Sequence, residues 1–250
     1  MISRLNLYDA LGNKINVESI GLFGLKLNIP SPSYTVESEV IPGGQTIILD
    51  KQLNPRSLIG EFMAKANDYR DSLRLRDELF NLLGNGEEIY VGELHVPGKR
   101  WRVIVEEWTP ERANQRVSKI DVPLYCASGL SESVNLIKQK RTTSSFQFKN
   151  EGNRLIDPRK QSETEITFKG ASSNLTITNQ TTGDVWKFNG TTIATDVIKL
   201  KGISSYKNGV SIFGQTNKKL LTFAVGNNNF TVGGAEEGFE LSISTRFYFL

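Results

Sequence analysis

The stretch Asn174-Leu175-Thr176-Ile177-Thr178-Asn179-Gln180-Thr181-Thr182-Gly183-Asp184-Val185-Trp186-Lys187-Phe188 decides the fold class. Leu175 and Ile177 alternate with Thr176 and Thr178, the period of a strand with one face in a core. Thr182-Gly183 supplies a hairpin turn, and Val185-Trp186-Lys187-Phe188 resumes an extended pattern in which Trp186 reads as a core residue. The signature recurs on both sides, in Glu165 to Phe168, Asp196 to Leu200, Gly209 to Phe213, Leu220 to Phe223 and Asn229 to Val232. Phe239 to Phe249 reads as a long closing strand, and Asn189-Gly190 and Asn208-Gly209 sit where further hairpin turns are expected. Short strands spaced ~8–12 residues apart, with no helical period among them, mean a β-sandwich or jelly roll.

Upstream the pattern is mixed. Ile20 to Ile29 is apolar with an alternating end and predicts a strand, as do Thr46 to Asp50 and Arg56 to Lys65. Between them, residues 29–45 hold Pro30, Pro32 and Pro42, too punctuated for a core strand and too apolar for a plain linker. This segment reads as an extended arm or long loop of the kind that contacts a partner. One helix is predicted, capped at Asn67 or Asp68. Leu75, Leu79, Leu82 and Leu83 form one apolar stripe, and Gly84 follows the last turn. Arg70 and Arg74, interleaved with Asp71, Asp77 and Glu78, read as a solvated face. Glu88 to Leu94 and Arg100 to Trp108 predict a hairpin turned by Val96-Pro97-Gly98-Lys99, and Ser118 to Cys126 one more strand. The fold class is therefore mainly β: an N-terminal α+β domain, a β-sandwich or split barrel with one helix over residues 1–136, followed by a β-sandwich jelly roll over 137–250.

The character shifts along the 250 residues in charge too. Residues 1–140 hold 17 basic and 18 acidic side chains, and residues 141–250 hold 13 and 9, for a total of +3. That balance argues against a dedicated nucleic-acid binder. No run of ~18 apolar residues is present, so no membrane insertion is expected. The start, Met1 to Asp9, lacks the charged-then-apolar pattern of a signal peptide.

Catalytic chemistry finds little to work with. The chain holds one cysteine, Cys126, and one histidine, His95, too few for a Cys/His zinc site. Any triad would have to use His95, which lies in a predicted turn. Cys126 reads as a small buried hydrophobe. Phosphate-loop, dinucleotide, zinc-protease and nucleophile-elbow signatures are missing. Neighbouring carboxylates such as Glu106-Glu107 would point to opposite faces of a strand, which leaves only a cross-strand pairing of Glu88 with Glu106 as a hydrolase-like arrangement. The sequence predicts no enzyme, no cofactor and no metal.

The residues Gly43-Gly44, Asn54-Pro55-Arg56-Ser57-Leu58-Ile59, Leu75-Arg76-Asp77-Glu78-Leu79 and Glu88-Ile89-Tyr90-Val91 narrow the field. With Leu175 to Gly183, Lys207 to Val210, Gly226 to Phe230 and Ser244 to Phe249, the sequence resembles the distal tail proteins of siphophages that infect Gram-positive bacteria. The resemblance implies a galectin-like or carbohydrate-module-like second domain and a homo-hexameric ring closed by the first. It implies the tail tube protein and the tail-associated adsorption protein as partners, with DNA in transit through the channel. It places the protein at the virion tail tip, assembled in the host cytoplasm. Within that reading Tyr34, Val36, Val40, Ile41 and Pro42 of the arm are the expected subunit interface. The competing function is a carbohydrate-binding module for host cell-wall polysaccharide, suggested by Asn, Thr and aromatic residues around Thr222 to Val232. Galectin-type sites use a histidine, arginines and a tryptophan on one face, and the second domain has no histidine.

Overall fold

The computed structural model describes residues 2–160 and 163–250. It is mainly β, with one α-helix among the described residues. The chain divides into two units, one running to Glu132 and taking in Leu250, the other Ser133–Phe249.

The first unit contains β1 (Leu5–Tyr8), β2 (Lys14–Ile15), β3 (Leu22–Asn28), β4 (Tyr34–Val40), β5 (Thr46–Leu53) and β6 (Arg56–Lys65). Helix α1 (Tyr69–Leu83) follows, then β7 (Glu88–Glu93), β8 (Lys99–Val105), β9 (Glu111–Arg112) and β10 (Val117–Cys126). The main antiparallel sheet runs β2-β1-β7-β8-β10-β6-β3. It curls back on itself, because the Arg4 amide donates to the Gly24 carbonyl at 2.7 Å and the Gly24 amide to Ser3 Oγ at 3.0 Å. Glycine is required at this closure: a Cβ on residue 24 would lie 2.6 Å from the Cβ of Leu5.

Alternation sends Leu58, Phe62 and Ala64 of β6 inward with Ile120, Val122 and Leu124 of β10, and Leu75, Leu79 and Leu83 of α1 join that core. Cys126 is buried there too. Asp68 caps α1 by accepting from the Asp71 amide at 2.8 Å, while Asp71 accepts from the Asn67 amide at 2.9 Å. Gly84 ends the helix at φ −102°, outside the left-handed region; a Cβ there would sit 2.8 Å from the Phe80 carbonyl oxygen, so it serves by its size. Strand β8 stops at Val105, short of the expected Trp108. That ring leaves the strand and packs 5.1 Å from Phe80.

The second unit opens with β11 (Ser131–Ser133) at its border, then β12 (Ile137–Arg141), β13 (Ser145–Asn150), β14 (Glu165–Lys169), β15 (Ser172–Asn179), β16 (Asp184–Lys187) and β17 (Thr191–Thr192). It continues with β18 (Val197–Lys201), β19 (Ser204–Lys207), β20 (Val210–Ser211), β21 (Gly226–Ala235), β22 (Glu240–Thr245) and β23 (Tyr248–Phe249). Two antiparallel sheets, β12-β22-β14-β18-β19-β20 and β13-β21-β15-β16, form a sandwich. Ile166, Phe168, Ile198, Leu241 and Ile243 of one sheet are buried, as are Phe148, Leu175, Ile177, Trp186 and Phe230 of the other. Trp186 is 1% exposed, and its indole N–H donates to Ser205 Oγ at 3.3 Å.

Three expectations for this half are corrected. Leu220 to Phe223 is not a strand: Phe223 makes an isolated bridge to Ile156 and places its ring 5.2 Å from Phe148 and 5.5 Å from Phe230. Asn189-Gly190 turns no hairpin, because β16 and β17 both pair with β15. Phe239 to Phe249 is broken at Arg246-Phe247, where the Arg246 guanidinium donates to the carbonyls of Ser133 and Val134 and to Glu163. By contrast, Asn208-Gly209 closes β19–β20 with φ of 49° and 81°, the paired positive values of a type I′ turn.

Candidate functional site

Strands β4 and β5 pair only with each other, as a two-stranded ribbon outside the large sheets. The expected arm, 29–45, is thus not an unpaired loop. Its later part is one edge of a ribbon that extends through Leu53, because Thr46 to Leu53 offers a second extended run to pair with. At the base, Asn54 donates its amide to the Ser33 carbonyl at 3.0 Å and accepts from the Thr35 hydroxyl at 2.7 Å. At the tip, Gly44 donates to the Ile41 carbonyl at 2.8 Å and Gly43 takes φ +74°.

The register sorts the ribbon into two unlike faces. Cross-strand partners share a face. Tyr34↔Leu53, Val36↔Lys51, Ser38↔Ile48 and Val40↔Thr46 therefore lie together, and Thr35↔Gln52, Glu37↔Asp50 and Glu39↔Ile47 lie on the other side. Leu49 is the extra residue of a bulge between Glu37 and Ser38 of the partner strand. One face is apolar, with Lys51 Nζ 4.2 Å above the Tyr34 ring. The opposite face carries Glu37, Glu39 and Asp50, with Glu37 directly across from Asp50.

All of Thr35 to Gln52 is solvent-exposed. Val40 is 68% exposed, Ile48 63% and Leu49 58%. A lone two-stranded hairpin is marginal in water. Burying Val36, Val40 and Ile48 would return roughly 1.5–3 kcal/mol each.

Of the residues expected at an interface, Val36 and Val40 stand on the apolar face, Tyr34 at its base, and Ile41 and Pro42 in the exposed tip. Ile47, Ile48 and Leu49 were not among them. Their apolar run reads as an ordinary strand, and only the pairing shows that it has no core.

The other candidates do not assemble into a reaction centre. His95 is exposed in the β7–β8 turn, and Glu88 is held by the Arg102 guanidinium. Phe223 and Phe230 are buried, so the rings that suggested sugar binding face the core. No group of three or more His, Cys, Asp or Glu among the described residues could hold a metal, and no helix there is long and apolar enough to cross a membrane.

Two polar features had no sequence signal. Arg100 and Glu132 form a buried pair at 2.8 Å, with the guanidinium 3.6 Å from the Tyr90 ring centre. Asn179, at 0% exposure, donates to the Thr222 carbonyl at 2.7 Å and to Asn228 Oδ1 at 3.0 Å, tying β15 to the segment before β21.

Comparison with known proteins supplies the frame for the ribbon. Residues 11–126, which include it, match the family described as phage tail protein RIFT-related domain. The fold is similar to that of SPP1 Dit, described as a paradigm of the hub adsorption apparatus in phages infecting Gram-positive bacteria. The TM-score is 0.75 at 15% identity, over 97% of this chain and 99% of that one. It is also similar to a chain of the phage P2 baseplate in its activated conformation with Ca, with TM-score 0.50 and 6% identity over 98% of each chain. The corresponding structure with Sr gives 0.51 and 6%, over 96% and 97%. No curated protein matches the sequence. Residues 11–126 are thus similar to the phage tail protein RIFT-related domain, and the fold over nearly the whole chain is similar to that of SPP1 Dit.

Proposed function

We propose that this protein is a structural hub at the distal end of a long non-contractile phage tail. Six copies close a ring through their first units, joining the tail tube to the adsorption apparatus at the virion tail tip. The second units stand as galectin-like modules, and the genome passes through the ring's channel. The role is structural rather than enzymatic, and it needs no cofactor.

The observation that carries this reading is the β4–β5 ribbon, with Val36, Val40 and Ile48 presented to solvent on one face. A ring requires a heterologous contact, in which one patch meets a different patch on the next copy. A projecting ribbon with a single apolar face is suited to that geometry. The near-neutral charge of residues 1–140, 17 basic against 18 acidic, is compatible with a conduit, since a basic lumen would hold phosphates and slow their passage.

The test is mass in solution by light scattering, with negative-stain images of the same peak, for the native chain and for Val40→Asp/Ile48→Asp. A native species near six times 27.9 kDa, seen end-on as a ring and reduced to monomer by the double substitution, is the expected result. A native chain that stays monomeric alone and with tail-tube and adsorption proteins added would overturn the reading.

A further inference from the structure

We propose that the outer face of the β12-β22-β14-β18 sheet is a docking trough for an anionic phosphodiester polymer with a polyol backbone. This surface belongs to the second unit and does not depend on the ring.

The inward residues of this sheet, Ile166, Phe168, Ile198 and Ile243, fill the sandwich. Their neighbours in sequence therefore point out. The register aligns these outward residues in two rows: Lys138–Ser244–Glu165–Lys201 and Lys140–Ser242–Thr167–Lys199. Two lysines thus stand on β12 and two on β18, with a hydroxyl-rich floor between them. Strand spacing puts the flanks about 14 Å apart and the lysines within each flank about 7 Å apart. The groove lined by Lys138, Lys140, Lys201 and the two serines has a volume of about 680 Å³.

Pairing leaves this trough cationic. Glu165 is held by Lys199 at 3.0 Å, Glu240 by Lys140 at 2.9 Å and Glu163 by Arg246 at 2.6 Å. Each carboxylate is matched once, and Lys138 and Lys201, facing each other across the floor, make no ion pair among the described residues. Lys169, in line with Glu165 and Thr167 on β14, adds a further exposed cation.

Two separated ammonium groups select a ligand with repeated charge. Ammonium is a point charge that binds phosphate without the planar fork carboxylates favour. The floor of Ser242, Ser244 and Thr167 offers donors and acceptors to polyol hydroxyls. The two rows themselves hold no aromatic ring on which a neutral sugar could stack; Tyr206, across from Lys199 on β19, lies at their margin.

The experiment titrates the full chain into fluorescently labelled poly(glycerol phosphate) at low ionic strength, reading anisotropy. Saturable binding is expected, with log K falling against log salt at a slope of about −1.4 to −1.8 for two neutralised charges. Lys138→Ser/Lys201→Ser should weaken binding at least about tenfold and flatten that slope. Lys138→Arg/Lys201→Arg should retain it, and Lys149→Ser/Lys187→Ser on the opposite sheet should leave it unchanged. Circular dichroism melting confirms that each variant is folded. The proposal is overturned by no binding to the polymer, by equal affinity of the Lys138/Lys201 serine variant, by equal binding of uncharged dextran, or by tighter binding of duplex DNA. Ring formation is read separately by mass, so a failure here and a failure of the hub reading are distinguishable.

Discussion

The β15–β16 hairpin and the β4–β5 ribbon are both antiparallel pairs closed by a turn with a glycine at positive φ, Gly183 at +77° and Gly43 at +74°. Both alternate apolar with polar residues. In the first, Ile177↔Trp186 is buried against the opposite sheet. In the second, the cross-strand pairs Val36↔Lys51 and Ser38↔Ile48 stand exposed to solvent. The local code for a strand is therefore met twice, and only one of the two hairpins finds its core within its own chain. The difference separates residues that hold the fold from apolar residues that the fold leaves exposed.

Perturbing the buried hairpin should produce the largest effects on folding. Trp186→Ala leaves a cavity beside Ser205 and is expected to cost about 3–5 kcal/mol, seen as an earlier transition in calorimetry. A loss under about 1 kcal/mol would mean that the sandwich does not depend on this pair, and the contrast with the ribbon would collapse. Asn179→Ala takes the side-chain donor from the Thr222 carbonyl, while Asn228 Oδ1 keeps the Ala224 amide, and should cost about 1–3 kcal/mol in urea unfolding.

A pH titration sharpens the comparison at a third hairpin, β19–β20. Lys207, 2.8 Å away, lowers the carboxyl of Asp196 to about 2 from the usual 3.8, with help from the Ile193 amide and Asn208. A depressed carboxyl contributes stability above its unfolded value and loses it on acidification. Denaturant midpoints should therefore fall between about pH 4 and pH 2, and Asp196→Asn should remove that slope. Equal slopes in both proteins would rule the contribution out.

The ribbon should give the smallest effect on folding. Val36→Ser, Val40→Ser or Ile48→Ser should each shift monomer stability by no more than about 0.5 kcal/mol, since these exposed side chains give up no buried contacts. The same changes should weaken self-association measured by sedimentation. A large drop in monomer stability would show that the ribbon packs on its own subunit.

How much of this could be read in the sequence depended on whether the deciding interaction was local. The helix cap at Asp68, the turns at Thr182-Gly183 and Asn208-Gly209, and the burial of Trp186 and Cys126 follow from neighbours within a few residues. The pairing of Tyr34 to Val40 with Thr46 to Leu53 was missed, because Pro30, Pro32 and Pro42 mask a strand that lies between them. Asn189-Gly190 carries the right dipeptide for a hairpin, but β15 takes both flanking strands as partners. The Arg100–Glu132 pair joins residues 32 positions apart, and long separations of that kind have no periodic trace. On the ribbon, the exposure of Val36 and Val40 agrees with the proline-punctuated arm in which the sequence places them. Ile47 and Ile48 were not, since nothing in an apolar run says whether a core awaits it.

The two-faced character of the ribbon also bears on how assembly stops. A strand pair that is sticky on both sides can add copies without limit and grow into fibres. Here Glu37, Glu39 and Asp50 surround Ile47 with negative charge on one side, so in the proposed ring the ribbon would engage its neighbour through the other side. In the proposed ring, growth would end when the last ribbon meets the first copy, because a heterologous contact stops adding copies only where its rotation closes.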